Sequence, residues 1–331
     1  MTAPIAAGVG SPFAKLLSVA SSVPSRVVDN AEMCTWIDSS DEWIQQRTGI
    51  VERRWVGEGE DIESMSFDAA RTAIERAGIP AAEIGAVIVA TVTYFHQTPS
   101  LAAKLAHRLG TNGAAYDISA ACAGFCYGLA QAEALVRSGA ARYALVLGVE
   151  ELSRFTNVHD RSTAFLFADG AGAAVVGPSD ANGIGPVVWG SDGAQAGAIT
   201  QSTEWHAALA DGERPYLAMD GRTVFKWATS FITEATKNVL DAAGLAPEDL
   251  DVFIPHQANN RITDAMLRHL KLPDHVVVAR TIKQFGNNSA ASVPMAIDAL
   301  LSSGEAKSGQ TALLIGFGAG LVYAGQVVTL P

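Results

Sequence analysis

The sequence predicts an α/β fold assembled from two related halves. Residues 86–92 and 143–149 are continuous apolar runs rather than alternating ones, the pattern of strands covered on both faces in a parallel sheet. Stretches of helical period separate them, so strands and helices alternate. The second half then repeats the first. Ala77-Gly78-Ile79 followed by Glu83-Ile84-Gly85-Ala86-Val87-Ile88 matches Ala243-Gly244-Leu245 followed by Asp249-Leu250-Asp251-Val252-Phe253-Ile254. Ala144-Leu145-Val146-Leu147-Gly148 matches Ala312-Leu313-Leu314-Ile315-Gly316, and the apolar helix ending at Ser138-Gly139 matches the one from Ser289 to Ser303-Gly304. All three pairs keep nearly the same offset, the mark of a duplication. The expected halves are residues 1–180 and 181–331, related by a pseudo-twofold axis.

In chain order, residues 15–23 read as a first strand. Asn30 is expected to cap a short helix, and Ser39-Ser40-Asp41-Glu42-Trp43-Ile44 opens another with a hydroxyl cap and acids in its first turn. Residues 61–77 form an amphipathic helix stopped by Gly78. Beyond strand 86–92, residues 98–109 are helical. Strand 114–118 runs into Asp117-Ile118-Ser119-Ala120-Ala121-Cys122-Ala123-Gly124-Phe125, and an apolar helix then continues to about Ser138. Residues 162–167 and the small apolar run 170–176 close the first half. A turn at 182–185 opens the second.

With 331 residues, 49% hydrophobic and 17% charged, the chain can bury a large core and is not disordered. A formal charge of -11 argues against a nucleic-acid partner and against a broad basic face for a membrane. Cys34, Cys122 and Cys126 are an odd number without metal-ligand spacing, so no metal site is expected and the thiols read as reduced. No apolar run reaches transmembrane length, and the first twenty residues lack the pattern of a secretory signal. The expected location is the cytoplasm.

The small residues around Cys122 imply tight backbone packing where strand becomes helix. A thiol there lies near free helical N–H groups, whose partial positive charge favours thiolate, although a small buried hydrophobe is the plainer reading. The duplication places two further loops at corresponding strand ends. Gly286-Asn287-Asn288-Ser289 matches the Cys122 turn, and Pro255-His256-Gln257-Ala258-Asn259 matches the end of the 86–92 strand. Loops at such a junction face one another across a natural pocket. The repeat thus nominates Cys122, His256 and either Asn287 or Asn288 as neighbours. Each also has a plain structural reading: His256 as a strand cap, the asparagines as a turn.

Gly316-Phe317-Gly318-Ala319-Gly320 and Gly170-Ala171-Gly172 do not complete a dinucleotide fingerprint and run into strands. The 316–320 turn fits close backbone approach to a ligand, with an N–H free as an oxyanion donor. Trp43 and Arg47 share a helical face at i, i+4, apt for stacking an adenine and meeting phosphate. Arg261 belongs near the mouth of the same site. Lys226, Arg261, Arg268, His269 and Lys271, if they share a face, form a basic patch suited to an acidic partner protein.

The blocks Asp117–Phe125, Pro255–Asn259 with Arg261, Gly286-Asn287 with Ser289-Ala290-Ala291-Ser292-Val293-Pro294, and Gly316–Gly320 resemble those of β-ketoacyl-acyl-carrier-protein synthase III. Ser40-Asp41-Glu42-Trp43-Ile44 with Arg47-Thr48-Gly49-Ile50 adds a fifth block, and Cys-Ala-Gly-Phe with the Gly-Ala-Gly-Leu-Val-Tyr-Ala ending resembles actinobacterial members. The resemblance implies a thiolase-like fold of five αβαβα layers and a homodimer. It implies Cys122, His256 and Asn287 as catalytic residues, and backbone N–H groups of Cys122 and Ala319 as the oxyanion hole. Coenzyme A would meet Trp43, Arg47, Arg161, Gly221, Val224, Phe225, Ala258, Asn259 and Arg261. Thr98 and Phe317 would border the acyl pocket, and Lys226, Arg261, Arg268 and Lys271 would receive malonyl-acyl carrier protein.

Two positions depart from the family pattern. Asn288 stands where many relatives have threonine. Thr98 stands where some carry an aromatic that crosses the dimer interface, which leaves room for a longer or branched primer. The implied activity is decarboxylating condensation of an acyl-coenzyme A primer with malonyl-acyl carrier protein, with no cofactor beyond the thioester substrate. A starter-unit ketosynthase of a polyketide pathway would share this chemistry. A non-catalytic acyl-coenzyme-A-binding subunit of the same fold is the reading of a different class.

Overall fold

The computed structural model describes residues 5, 6 and 8–331. Two five-stranded sheets have the same strand order. In the first, Phe13–Ser22, Asp169–Ser179, Tyr143–Glu151, Ile84–Ala90 and Ala114–Ile118 lie side by side. In the second, the sequence is Val188–Ser191, Val322–Thr329, Thr311–Gly318, Val252–Pro255 and Val277–Val278. The last three strands of each sheet pair in parallel, while the first two join antiparallel.

Side chains on successive strand positions point to opposite faces, and both faces of both sheets are buried. Ile88, Val146 and Val176 turn inward, toward the helices Gly124–Ser138 and Ser292–Ser303. Val252, Ile254, Ala312 and Leu314 reach the same two helices from the second sheet. Val87, Val89, Leu145 and Leu147 turn outward to Ile62–Ala77 and Leu101–Leu109. Phe253, Leu313 and Ile315 turn outward to Thr233–Ala243 and Asn260–Leu270. The layering is therefore αβαβα, and the continuous apolar strands follow from it. Among the described residues, no helix is long and apolar enough to cross a membrane.

Helix boundaries follow local capping, with two departures from expectation. Asp29, not Asn30, caps the short helix Asn30–Met33, its Oδ1 accepting from Glu32 N at 2.7 Å. Asn30 is buried and engaged elsewhere, donating to Asp41 Oδ1 at 2.7 Å and to the Ile50 carbonyl at 2.8 Å, and accepting from Arg53 at 2.5 Å. The helix expected over 98–109 starts only at Leu101. Pro99 disfavours helical geometry in the residue before it, and the Asp117 carboxylate accepts the Leu101 and Ala102 N–H groups at 2.7 and 2.8 Å.

A smaller cluster carries the helix Asp41–Thr48 over the molecule's main cavity. Its antiparallel strand pair, Arg26–Asp29 with Glu52–Trp55, is clipped to the first sheet. Trp55 Nε1 donates to the Phe167 carbonyl at 3.0 Å, and Val56 N donates to Asp169 Oδ2 at 2.8 Å. Arg53, fully buried, binds the Val28 and Asp29 carbonyls at 3.1 Å. Burial lowers its pKa to about 10, so it stays charged at neutral pH.

The two halves meet backbone to backbone. A Cβ on Gly148 would lie 2.1 Å from the Ala290 carbonyl oxygen, and one on Gly172 would lie 2.7 Å from Pro294. Gly148→Ala therefore forces the layers apart. It is expected to cost about 1–3 kcal/mol or more in urea unfolding, against roughly 0.5 kcal/mol or less for Gly193→Ala. At Gly193 an added methyl meets nothing within 4 Å.

Candidate active site

The two strand-to-helix junctions share one backbone device. Ala121, at φ 44°, and Ser289, at φ 47°, are non-glycine residues in the left-handed region. Each begins a short 3-10 turn, Ala121–Ala123 or Ser289–Ala291, that feeds a central helix. Such a conformation costs about 1–2 kcal/mol per residue and persists only where packing enforces it. It turns the chain sharply enough to put Cys122 and Asn287 on the wall of one cavity of about 1370 Å³, together with His256. The duplication's nomination is met, and between the two asparagines it is Asn287 that lines the cavity.

Close approach from the second sheet completes the floor. Gly316 and Gly318 belong to the strand Thr311–Gly318, so the expected turn is confined to the residues after Gly318. A Cβ on Gly318 would sit 2.9 Å from Cys122 Sγ, and one on Gly316 would sit 3.1 Å from the Cys122 carbonyl oxygen. Ala319 follows on the cavity wall.

Hydrogen bonds set which atoms of His256 and Asn287 face the cavity. Asn287 is locked by Asn287 N to the Leu166 carbonyl at 2.9 Å and by Ala168 N to its own carbonyl at 3.0 Å. Its Oδ1 accepts from Ser289 N at 2.9 Å, which leaves Nδ2 as the donor presented to the cavity. Ser292 Oγ accepts a long 3.4 Å hydrogen bond from Gln257 N and lies 2.7 Å from His256 Nδ1. With the Ser292 proton assigned to Nδ1, the ring hydrogen sits on Nε2. The ring packs edge-on to Phe317 at 5.4 Å.

His256 and Cys122 are both uncharged at the floor. Burial lowers the His256 pKa to about 3, so the imidazole is uncharged at neutral pH. The Cys122 thiol is pushed up to about 12, first by burial and further by the charge of Glu150; hydrogen bonds from Ser289 and from its own N–H pull the other way. Part of Cys122 faces the cavity, but protein surrounds the sulfur on its other sides and sets the direction of the shift. This corrects the expectation from the helix start: the partial charge of the N–H groups does not outweigh desolvation. Cys122 rests as a thiol.

The mouth is cationic and aromatic. Arg47 and Arg161 flank the Trp43 indole at 5.6 and 5.2 Å from its centroid, and Phe165 meets it edge-on at 5.3 Å. Arg261 lies 5.5 Å over Phe225. Gly221, Val224, Ala258 and Asn259 line the cavity, and Asn259 Oδ1 caps the helix Asn260–Leu270 by accepting from Arg261 N at 2.8 Å. Phe317 lines the floor. Arg161 reaches the site only through Trp43, and Thr98 is exposed and off this chain's cavity wall. Lys226, Arg261, Arg268, His269 and Lys271 are exposed on or just after the two helices Gly221–Trp227 and Asn260–Leu270.

The roles of several site residues escaped the reading of the sequence. Ser292 orients His256, and Ser289 touches Cys122 and Glu150. Glu150 is fully buried beside the Ser289 turn, accepting from Ser289 Oγ at 3.0 Å. Its signal was present: Glu150-Glu151 extends a buried apolar strand, where a carboxylate has no business without partners. Asn288 does not loosen the Asn287 turn. Its Nδ2 donates to the Asp169 carbonyl at 2.8 Å and to the Phe285 carbonyl at 3.1 Å, tying the turn to the first sheet.

Residues 116–193 match the model of the 3-oxoacyl-[acyl-carrier-protein (ACP)] synthase III family, and residues 240–330 match that of its C-terminal part. The chain is 54% identical to a β-ketoacyl-[acyl-carrier-protein] synthase III of Streptomyces glaucescens, covering 97% of this chain and 98% of that one. It is 49% identical to the mycobacterial β-ketoacyl-[acyl-carrier-protein] synthase III of Mycolicibacterium paratuberculosis, over 99% and 98%. Among solved structures, the priming β-ketosynthase from the R1128 polyketide biosynthetic pathway superposes with a TM-score of 0.96 at 47% identity, covering 99% of both chains. The β-ketoacyl-[acyl carrier protein] synthase III of Thermus thermophilus gives 0.89 at 41%, over 96% of this chain and 99% of that one.

A thiol with its pKa near 12 is mostly protonated at neutral pH. Alkylation of Cys122 by iodoacetamide is therefore expected to keep accelerating beyond pH 9, followed by peptide mass spectrometry. A plateau near pH 8 would contradict the neutral resting state.

Proposed function

Because this chain belongs to the 3-oxoacyl-[acyl-carrier-protein] synthase III family, we propose that Cys122, His256 and Asn287 are its reacting centre. The nucleophile comes from the half spanning 1–180 and the two side-chain donors from the half spanning 181–331. The activity is that of a condensing acyltransferase, joining an acyl-coenzyme A primer to malonyl-acyl carrier protein with loss of carbon dioxide. One observation carries the residue assignment: His256 Nε2–H and Asn287 Nδ2 are both left as donors on the wall that holds Cys122.

In the first half-reaction Cys122 sulfur attacks the primer's thioester carbonyl. The oxyanion is met by the backbone N–H groups of Cys122 and Ala319, and Gly318 allows that approach because any side chain there would collide with the sulfur. Coenzyme A leaves and the acyl group stays on Cys122. Its adenine stacks on Trp43, with Arg47, Arg161 and Arg261 near the phosphates and Gly221, Val224, Phe225, Ala258 and Asn259 along the entry. Malonyl-acyl carrier protein then docks on Lys226, Arg261, Arg268 and Lys271. As carbon dioxide departs, negative charge grows on the thioester oxygen, and neutral donors from His256 and Asn287 stabilise it. A neutral imidazole suits this task, since decarboxylation makes the carbanion without removing a proton. The carbanion attacks the acyl-cysteine and releases a 3-oxoacyl product.

These steps use no metal or redox group; coenzyme A enters with the substrate. The working form is a homodimer, in which Thr98 reaches the partner's acyl pocket opposite Phe317, and soluble thioesters and carrier protein make the cytoplasm its place. The likeness to a priming polyketide ketosynthase favours a second reading, in which the same steps load a starter unit. The complete set of Cys122, His256 and Asn287 supports catalysis over a binding-only subunit.

Incubation with acetyl-, isobutyryl- and longer acyl-coenzyme A should give acyl adducts on Cys122 by mass spectrometry, and none in Cys122→Ala. With Thr98 small, branched primers should load as well as acetyl; strict preference for acetyl would remove the roomy pocket. Separately, Asn287→Ala or His256→Ala should slow malonyl decarboxylation by about 100-fold or more while acylation falls far less. Equal loss of both half-reactions would contradict the donor roles.

A further inference from the structure

The first half-reaction needs a destination for the Cys122 proton. His256 is a poor one: burial lowers its pKa to about 3, and Ser292 Oγ already lies 2.7 Å from its Nδ1. A different chain of atoms begins at the thiol. Ser289 lines the cavity wall together with Cys122, and its hydroxyl donates to Glu150 Oε1 at 3.0 Å. A hydroxyl has one proton and two lone pairs, so it can give to the carboxylate while accepting from S–H. Glu150 has no exposed surface, and it is held by Thr93 Oγ1 at 2.6 Å, Val92 N at 3.1 Å and Thr91 Oγ1 at 3.2 Å on its other oxygen. Its neighbour Glu151 is paired with Arg154 at 2.5 Å; the partners described for Glu150 are hydroxyls and one amide. Burial pushes its pKa up to about 7 in spite of those donors, which puts it where a proton can be taken and returned near neutral pH.

We propose that Glu150, acting through Ser289, takes the proton that Cys122 loses on attacking the primer and returns it when condensation frees the sulfur. In acylation the S–H bond breaks as the S–C bond forms. The thiol proton moves to Ser289 Oγ while the Ser289 proton moves to Glu150 Oε1, leaving a neutral carboxyl. The primer's own C–S bond breaks, and coenzyme A leaves as a thiolate that is protonated by water at the mouth. In condensation the new C–C bond forms, the acyl–sulfur bond breaks, and its electron pair stays on Cys122. The proton then runs back from Glu150 through Ser289. Over one cycle Glu150 is unchanged and one solvent proton is consumed, by coenzyme A.

This inference rests on Cys122 being the nucleophile, and the test separates the two. Rapid-quench mass spectrometry of Cys122 acylation is compared with malonyl-acyl carrier protein decarboxylation measured in a Cys122→Gln background. Glu150→Gln and Ser289→Ala should each slow acylation by about 100-fold, the scale of general base catalysis. Decarboxylation should change by roughly twofold or less, a split that a packing defect does not produce. Ser289→Ala is the safer variant, because Ala121 already holds the same left-handed conformation in the other half; it carries the test alone if Glu150→Gln does not fold. Undiminished acylation in the folded variants, or equal loss of both half-reactions, overturns the relay alone. No adduct on wild-type Cys122 removes nucleophile and relay together.

Discussion

Contact between bare backbone at the centre of the molecule is the constraint on which the rest depends. Gly148 lets the Ala290 carbonyl press against the first sheet, and Gly318 lets the second sheet press against Cys122. Side chains at either point would collide with the facing backbone or sulfur and push the layers apart. With them absent, the two left-handed turns at Ala121 and Ser289 come near enough for one serine to touch both a thiol of its opposite number and a carboxylate of the opposite sheet. The strain at those turns is offset by the apolar burial of the two helices that follow them.

The cavity separates two kinds of electrostatics. At its mouth, full positive charges sit on aromatic faces in partial contact with solvent, where they attract anionic ligands without being trapped. At its floor, burial keeps His256 and Cys122 neutral, and the buried Glu150 carboxyl is surrounded by donors. A charge that develops only during reaction is then met by fixed dipoles of uncharged donors.

Much of this was legible in the sequence, for identifiable reasons. The duplication could be seen because buried parallel strands leave unbroken apolar runs, and it brought Cys122, His256 and the Asn287 turn together. The cap at Asp29 was missed because Asn30 has the residue type of a cap but is consumed by Asp41, Ile50 and Arg53, contacts set by tertiary packing. The state of Cys122 was misjudged because a helix start is visible in one dimension, whereas the protein mass that desolvates the sulfur is not. Ser289 and Ser292 were named only as parts of a motif block, without roles, since their partners Glu150 and His256 lie far away in the chain.

The uncharged state of Cys122 and His256 also has a bearing on inhibitor chemistry. An anionic warhead would be drawn to the arginines at the entrance and would then have to shed its water to go deeper, with no cation beyond to compensate. A thiol that rests protonated reacts poorly with reagents that select for pre-formed thiolate. Compounds combining an uncharged electrophile, an apolar tail toward Phe317 and an anionic group left behind at Trp43 match the gradient that the cavity itself imposes.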